Sequence, residues 1–214
     1  MRERVRNAPY LLFLLIMPVL GYLYQLLNIH SRNAVTVSTG LDSGIPFVPL
    51  FILPYIFWYV FIFGYLVYFC FKDKNVYLKT LTTIVVGELV CFVIYFSFQT
   101  TVPRPQLQGD SIFIDLVALI YANDQPYNCF PSIHVLTTFA IMMGSLHIKR
   151  KHVFHKLFIP VMGSSIIIST LFVKQHYLLD MIGSMFLVSF LYGVIFEVYQ
   201  LQWGQKSESI ILKK

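Results

Sequence analysis

The chain has 214 residues, of which 57% are hydrophobic and only 12% charged, with a formal net charge of +6. A soluble domain carries about twice that charged fraction, so the composition excludes an ordinary soluble protein and places the chain in the membrane class. The basic excess does not indicate nucleic acid, because the Lys and Arg residues lie between long apolar runs, where the membrane surface accounts for them.

A spanning helix needs roughly 20 mostly apolar residues. In chain order, spans are predicted at 11–27, 47–71, 81–98, 133–148, 157–173 and 177–198. The fourth and fifth are short, so their ends are expected to extend into flanking polar residues. Residues 111–122 are apolar, too short to span and flanked by Asp110 and Asp124, which predicts a helix lying in the interface. The first element begins like a signal peptide, with Arg2, Arg4 and Arg6 ahead of an apolar run. Its length and the lack of a clear small-residue cleavage site predict an uncleaved signal anchor. The expected fold is all-α: one domain over residues 1–214, a six-transmembrane-helix bundle with a short interfacial helix between the third and fourth spans. No linker, low-complexity tract or internal repeat divides it.

Orientation follows from the placement of Lys and Arg. Arg2, Arg4 and Arg6 precede the first span; Lys72, Lys74 and Lys79 follow the second. Lys149, Arg150, Lys151 and Lys156 follow the fourth, and Lys206, Lys213 and Lys214 close the chain. Alternate-side assignment puts all of these on one side, predicting an integral protein of the cell membrane with both termini cytoplasmic. Arg32, Arg104 and Lys174 then fall on the outer side. Cys70 and Cys91 lie inside apolar runs and read as packed hydrophobes; Cys129, in a polar loop, has no obvious loop partner. No disulfide framework is expected.

Three short segments share the predicted outer face: Pro103-Arg104-Pro105, Pro131 to His134, and Lys174 to Asp180. His176 and Asp180 are four residues apart, so on a helix they share one face. A carboxylate there can fix the imidazole tautomer and leave the other ring nitrogen as a nucleophile. Ser132 and His134 lie in the first turn of the fourth span, where free amides and the helix dipole favour an anion. Arg104 and Lys174 add fixed positive charge, and Arg binds phosphate oxygens bidentately. Two His, one Asp and two cations around a helix N-terminus describe a phosphoryl-transfer site without a metal. His134, His176 and Asp180 are also conceivable metal ligands, but no His-x-x-x-His or Cys cluster accompanies them and the two cations oppose a bound ion. No metal and no cofactor is expected.

The three segments together resemble the type 2 phosphatidic acid phosphatase (PAP2) superfamily of membrane lipid phosphatases and phosphotransferases. That family carries an Arg-Pro motif, a Pro-Ser-x-His motif and a final motif ending in His-x-x-x-Asp, in this order. Here they read Arg104-Pro105, Pro131 to His134, and Ser169 through His176 to Asp180, all within 97–180. Three positions depart from the pattern. Ser97 stands where a Lys is usual, Ile133 where Gly is usual, and Thr170 where Arg is usual, while Lys174 lies two residues before His176. Residues 169–177, with Asp42 and the stretch 45–49, are similar to the inositolphosphorylceramide-synthase-like branch, which contains phosphotransferases.

The resemblance implies that His176 attacks phosphorus, Asp180 orients it, and His134 protonates the leaving oxygen and later activates the acceptor. Arg104, Ser132, Lys174 and the amides around Ile133 would hold the phosphoryl oxygens. The expected partners are a lipid phosphate and the bilayer, with no nucleic acid. A phosphatase is expected ahead of a phosphotransferase. A transporter or lipid-binding protein is the rival from another class, but only Glu88 is placed for a path through the bilayer and no inverted repeat is visible. His147, His152 and His155 read as solvated or headgroup-facing residues of a basic cytoplasmic loop.

Overall fold

The computed structural model describes residues 7–29 and 33–198. Arg2, Arg4, Arg6, Arg32, Lys206, Lys213 and Lys214, used above for orientation, lie outside these residues. The described residues form seven α-helices: α1 (Ile16–Leu27, continuing a 3₁₀ stretch Ala8–Leu15), α2 (Ile52–Lys72), α3 (Lys74–Ser97), α4 (Ile112–Asn123), α5 (Ile133–Ser145), α6 (Val153–Phe172) and α7 (Leu178–Tyr192). Among them there is no β-strand, only isolated bridges pairing Val35 with Thr100 and Thr101 with Tyr127.

Local chemistry sets most of the boundaries. Asp73 is the only residue between α2 and α3, and its carboxylate accepts from the amides of Asn75 (2.9 Å) and Val76 (3.2 Å). This N-cap starts α3 two turns before the expected Leu81. Ser111 caps α4 at the amide of Ile114, so the short apolar segment is helical almost where the sequence placed it. His152 caps α6 through its ring Nδ1, extending that helix N-terminally as expected.

Five helical stretches are long and apolar enough to cross a membrane: Ala8–Leu27, Pro49–Lys72, Lys74–Ser97, Val153–Phe172 and Leu178–Glu197. The fourth expected span is the exception. Helix α5 stops at Ser145 rather than extending past 148, and its 13 residues reach only about 20 Å against a core of about 30 Å. Lys151 Nζ donates to the Ser145 carbonyl and closes the end. The helix tolerates this because it is the centre of the bundle, packed by α2, α3, α6 and α7, with Val135, Leu136, Ala140 and Ile141 buried.

Small residues let α5 approach its neighbours. A Cβ at Gly87 would sit 2.9 Å from Leu136 Cδ1, and one at Gly144 would overlap the Thr80 hydroxyl. Residues 136–144 of α5 therefore run antiparallel beside residues 80–87 of α3. Beyond Gly87, α3 continues ten residues toward the motif end; beyond Leu136, α5 continues only three. The N-terminus of α5 is thus recessed by roughly 10 Å at 1.5 Å per residue. Gly144→Ala is expected to destabilise the fold by about 1–3 kcal/mol, read as a lower melting temperature in detergent. Gly64→Ala, with nothing within 4 Å of its added Cβ, should not.

His147 and His155 are half-buried and hydrogen-bonded, while His152 is exposed. His147 Nε2 bonds the Tyr192 hydroxyl and its ring stacks on Phe196 at 4.7 Å, while His155 bonds the Tyr65 hydroxyl at 3.2 Å. All three cysteines are free and buried, Cys129 included.

Candidate active site

His176 is held by the junction of α6 and α7. Helix α6 ends in a Schellman turn: the Lys174 amide donates to the Leu171 carbonyl and the Gln175 amide to that of Thr170. Lys174 takes the left-handed position at φ +53°, one that normally favours Gly. Its ammonium donates to the carbonyls of Ile45 and, at 3.5 Å, Asp42, fixing the side chain there. Tyr177 then caps α7. His176 thus precedes the helix and does not share a helix face with Asp180. The two still meet because Asp180, in the first turn, folds back to accept from the Tyr177 amide at 2.8 Å.

The His176 ring nitrogen Nδ1 lies 3.0 Å from the Cys129 carbonyl and 3.4 Å from Asp180 Oδ2. A carbonyl only accepts, so the bond requires the proton on Nδ1 and leaves Nε2 as the lone-pair nitrogen of the neutral ring. The sequence pointed to the Asp180 carboxylate; the nearer acceptor is a main-chain oxygen, which no residue-type signal could have indicated.

His134 is the second residue of α5, and its ring lies 5.9 Å from that of His176 between centroids. Tyr55 and Trp58 of α2 hold it, at 4.7 and 4.4 Å. Trp58 is itself fixed by donating to the Thr137 hydroxyl at 2.8 Å. Both histidines line a cavity of ≈ 860 Å³ with Ile133, Asp124 and Glu88. Ser132 does not line it. That serine is fully buried; its Oγ accepts from the Val135 amide, its amide donates to the Asp180 carbonyl, and its carbonyl accepts from Ser184. Its observed contacts lock the start of α5 to α7.

Arg104 and Lys174 instead line a smaller neighbouring cavity of ≈ 380 Å³, with Asp42, Thr39 and Tyr177. The Arg104 guanidinium stacks on Tyr121 at 4.1 Å and donates to the carbonyls of Tyr121 (2.8 Å) and Asp124 (2.5 Å) and to Gln175 Oε1 (2.8 Å). It therefore closes the C-terminal end of α4 beside His176, and its buried Nε has no partner among the described residues.

Two acids escaped the sequence reading as site residues. Asp124 accepts from the Tyr24 hydroxyl (2.9 Å) and Asn28 (2.8 Å). Burial raises its carboxyl above the usual range, against the opposing pull of the Tyr24 bond, His176, Arg104 and Asn28. Asp42, quoted above only for likeness, accepts from the amides of Leu178 (2.8 Å) and Thr39 (2.6 Å) and from the Thr39 hydroxyl (2.7 Å). Burial opposes the charge of Asp42, yet those bonds and Lys174 hold its carboxyl below the usual value. The stability from a depressed carboxylate is present above its unfolded value near pH 4 and is lost as pH falls through the folded one. Asp42→Ala should therefore cost about 1–3 kcal/mol at pH 7 and flatten the acid limb, as read by thermal unfolding between pH 7 and about 3.

Among the described residues, no group of three or more His, Cys, Asp or Glu is disposed to hold a metal ion. A family model described as the PAP2 superfamily matches residues 38–194, a stretch that includes every candidate site residue and leaves out α1. No curated protein and no solved structure matches the chain.

Proposed function

Because the chain belongs to the PAP2 superfamily, we propose that it is a metal-independent phosphatase of lipid phosphates working through a phosphohistidine on His176. The juxtaposition of His134 and His176 over one cavity, with His176 Nδ1 facing main-chain and carboxylate acceptors, carries this reading. His176 Nε2 attacks phosphorus, the bond from phosphorus to the lipid oxygen breaks, and His134 in its protonated form supplies the proton to that oxygen. Water then gives a proton back to His134 and attacks the phosphohistidine, releasing phosphate. Asp180 stabilises the charge that develops on His176.

The recessed amides of Ile133 and His134, in the first turn of α5, lack intrahelical acceptors by position and suit phosphoryl oxygens. Ser132 acts with them by setting where that turn stands. Arg104 and Lys174 supply positive charge from the adjoining cavity, Arg104 exchanging carbonyl partners for phosphoryl oxygens.

In this reading the chain is one domain in which the recessed α5 joins the five longer helical stretches as the sixth span, α4 lies in the interface, and the Lys and Arg placement puts both termini in the cytoplasm. The site then faces the extracytoplasmic leaflet of the cell membrane. A lipid can keep its tail in the bilayer there, because α1 contributes Met17, Gly21 and Tyr22 to the cavity wall while its other face is exposed at Val19, Leu23 and Leu26.

A phosphotransferase of the inositolphosphorylceramide-synthase-like kind is the second reading. It is favoured by the bulk of Ile133 in the cavity wall, since a drier site protects the intermediate from water. The experiment is a labelled lipid phosphate incubated with purified protein, with and without alcohols, and the label partitioned between free phosphate and new ester. Free phosphate is the expected product. Ester without free phosphate would replace the phosphatase by the transferase, and no reaction with any lipid phosphate would sink both.

A further inference from the structure

Glu88 has no part in the chemistry described above. It lies in the middle of α3 and is 4% exposed, and it makes no hydrogen bond or ion pair among the described residues. It lines the same cavity as His134 and His176. A carboxyl group placed in an apolar span is costly unless something satisfies it, so a partner is expected from whatever fills the cavity.

Its depth shows which part of the occupant that is. Gly87 packs on Leu136, so Glu88 on α3 and His134 on α5 stand within about one helical turn of each other in depth. The lining of the cavity includes the apolar or aromatic residues Met17, Pro18, Phe63 and Tyr59, and polar members such as Asn28, Asp124, Gln125 and Asn128 belong to the loops and helix ends on the motif side. The group that reaches it belongs to the lipid just below the phosphate.

We infer that Glu88 is a specificity-determining residue that accepts a hydrogen bond from a hydroxyl or amide N–H near the phosphate-bearing end of the lipid. The substrate class is a lipid phosphate with such a donor, such as an N-acylated amino alcohol phosphate, in preference to an isoprenyl phosphate whose chain has none. This rests on the reading of His176 and His134 as the reacting pair.

The test compares an N-acyl sphingoid-base 1-phosphate with farnesyl phosphate, in turnover by the wild-type protein and in binding to the His176→Ala protein. Both proteins are held in detergent or nanodiscs, with Trp58 in the cavity wall reporting occupancy by its fluorescence. The donor-bearing lipid should bind at least about tenfold more tightly, the discrimination expected of one such bond. Glu88→Leu should erase that ratio without weakening farnesyl phosphate, and Glu88→Gln, which keeps an acceptor oxygen, should preserve most of it. Equal binding of the two lipids by the Glu88-bearing protein overturns the inference without any change at position 88. So does a ratio that survives Glu88→Leu, or one that Glu88→Gln abolishes should the leucine variant not fold. If the preference is present in binding while the wild type turns over neither lipid, the phosphatase reading fails and the role of Glu88 stands.

Discussion

Replacing His176 by alanine is expected to leave a folded protein without turnover, a loss on the order of 10⁴-fold or more. The Nε2 lone pair is the only nucleophile in the proposed sequence, and His134, 5.9 Å away between ring centroids, is clamped by Tyr55 and Trp58 and cannot take its place. The ring's one fixed hydrogen bond is to the Cys129 carbonyl, so its removal costs little structure and the melting temperature should change modestly. The direct measurement is acid-labile, base-stable phosphate on the protein after rapid quenching with a labelled lipid phosphate. The wild type should carry it and the His176→Ala protein should not. His134→Ala should still accumulate the phosphoenzyme from a substrate whose leaving group needs no proton, because only the second half of the reaction then lacks its base. A phosphoenzyme that persists in His176→Ala would move the nucleophile elsewhere.

The second large effect is expected at Asp180. It is 1% exposed and accepts from the Tyr177 amide at 2.8 Å, a bond that asparagine can also accept through its amide oxygen. Asp180→Asn therefore keeps the cap of α7 while removing the negative charge beside His176. In a Ser-His-Asp triad the same exchange costs about 10⁴ in rate, largely because the imidazole takes the wrong tautomer. Here the Cys129 carbonyl also holds Nδ1–H, so the tautomer survives and the loss should be smaller, about 10²–10³, falling on kcat rather than KM. Asp180→Ala should add a stability loss of about 1 kcal/mol from the missing cap. If Asp180→Asn retains wild-type kcat, the carboxylate is a capping group and the Cys129 carbonyl alone orients the histidine.

Much of the architecture was legible because its causes are local. Apolar runs long enough to cross a bilayer depend on residues close together in the chain, whereas the equally local Asp73 cap went unread and α3 starts two turns earlier because of it. The order of the three motifs was equally plain, and the family match over 38–194 agrees with the resemblance drawn from them. What the motifs could not convey was how each side chain is engaged. His176 was read as part of a helix because i and i+4 share a face there, yet the Schellman turn at Lys174 ends α6 before it and the next helix begins after it.

Tertiary contacts decided the rest, over separations that no periodicity spans. Lys174 is anchored by carbonyls 129 and 132 positions away, and Arg104 by main-chain oxygens whose availability depends on where α4 ends. The length and composition of 133–148 predicted a span, but packing on all sides let α5 stop at Ser145 and start deep in the bundle. That recess forms the cavity shared by both histidines and Glu88. Sequence by itself determined that this chain is a membrane-class helical protein with PAP2-type motifs, because hydrophobicity and residue type are properties of single positions. Which groups face one another across the cavity was decided by packing, because burial and hydrogen-bond satisfaction are properties of neighbours in space.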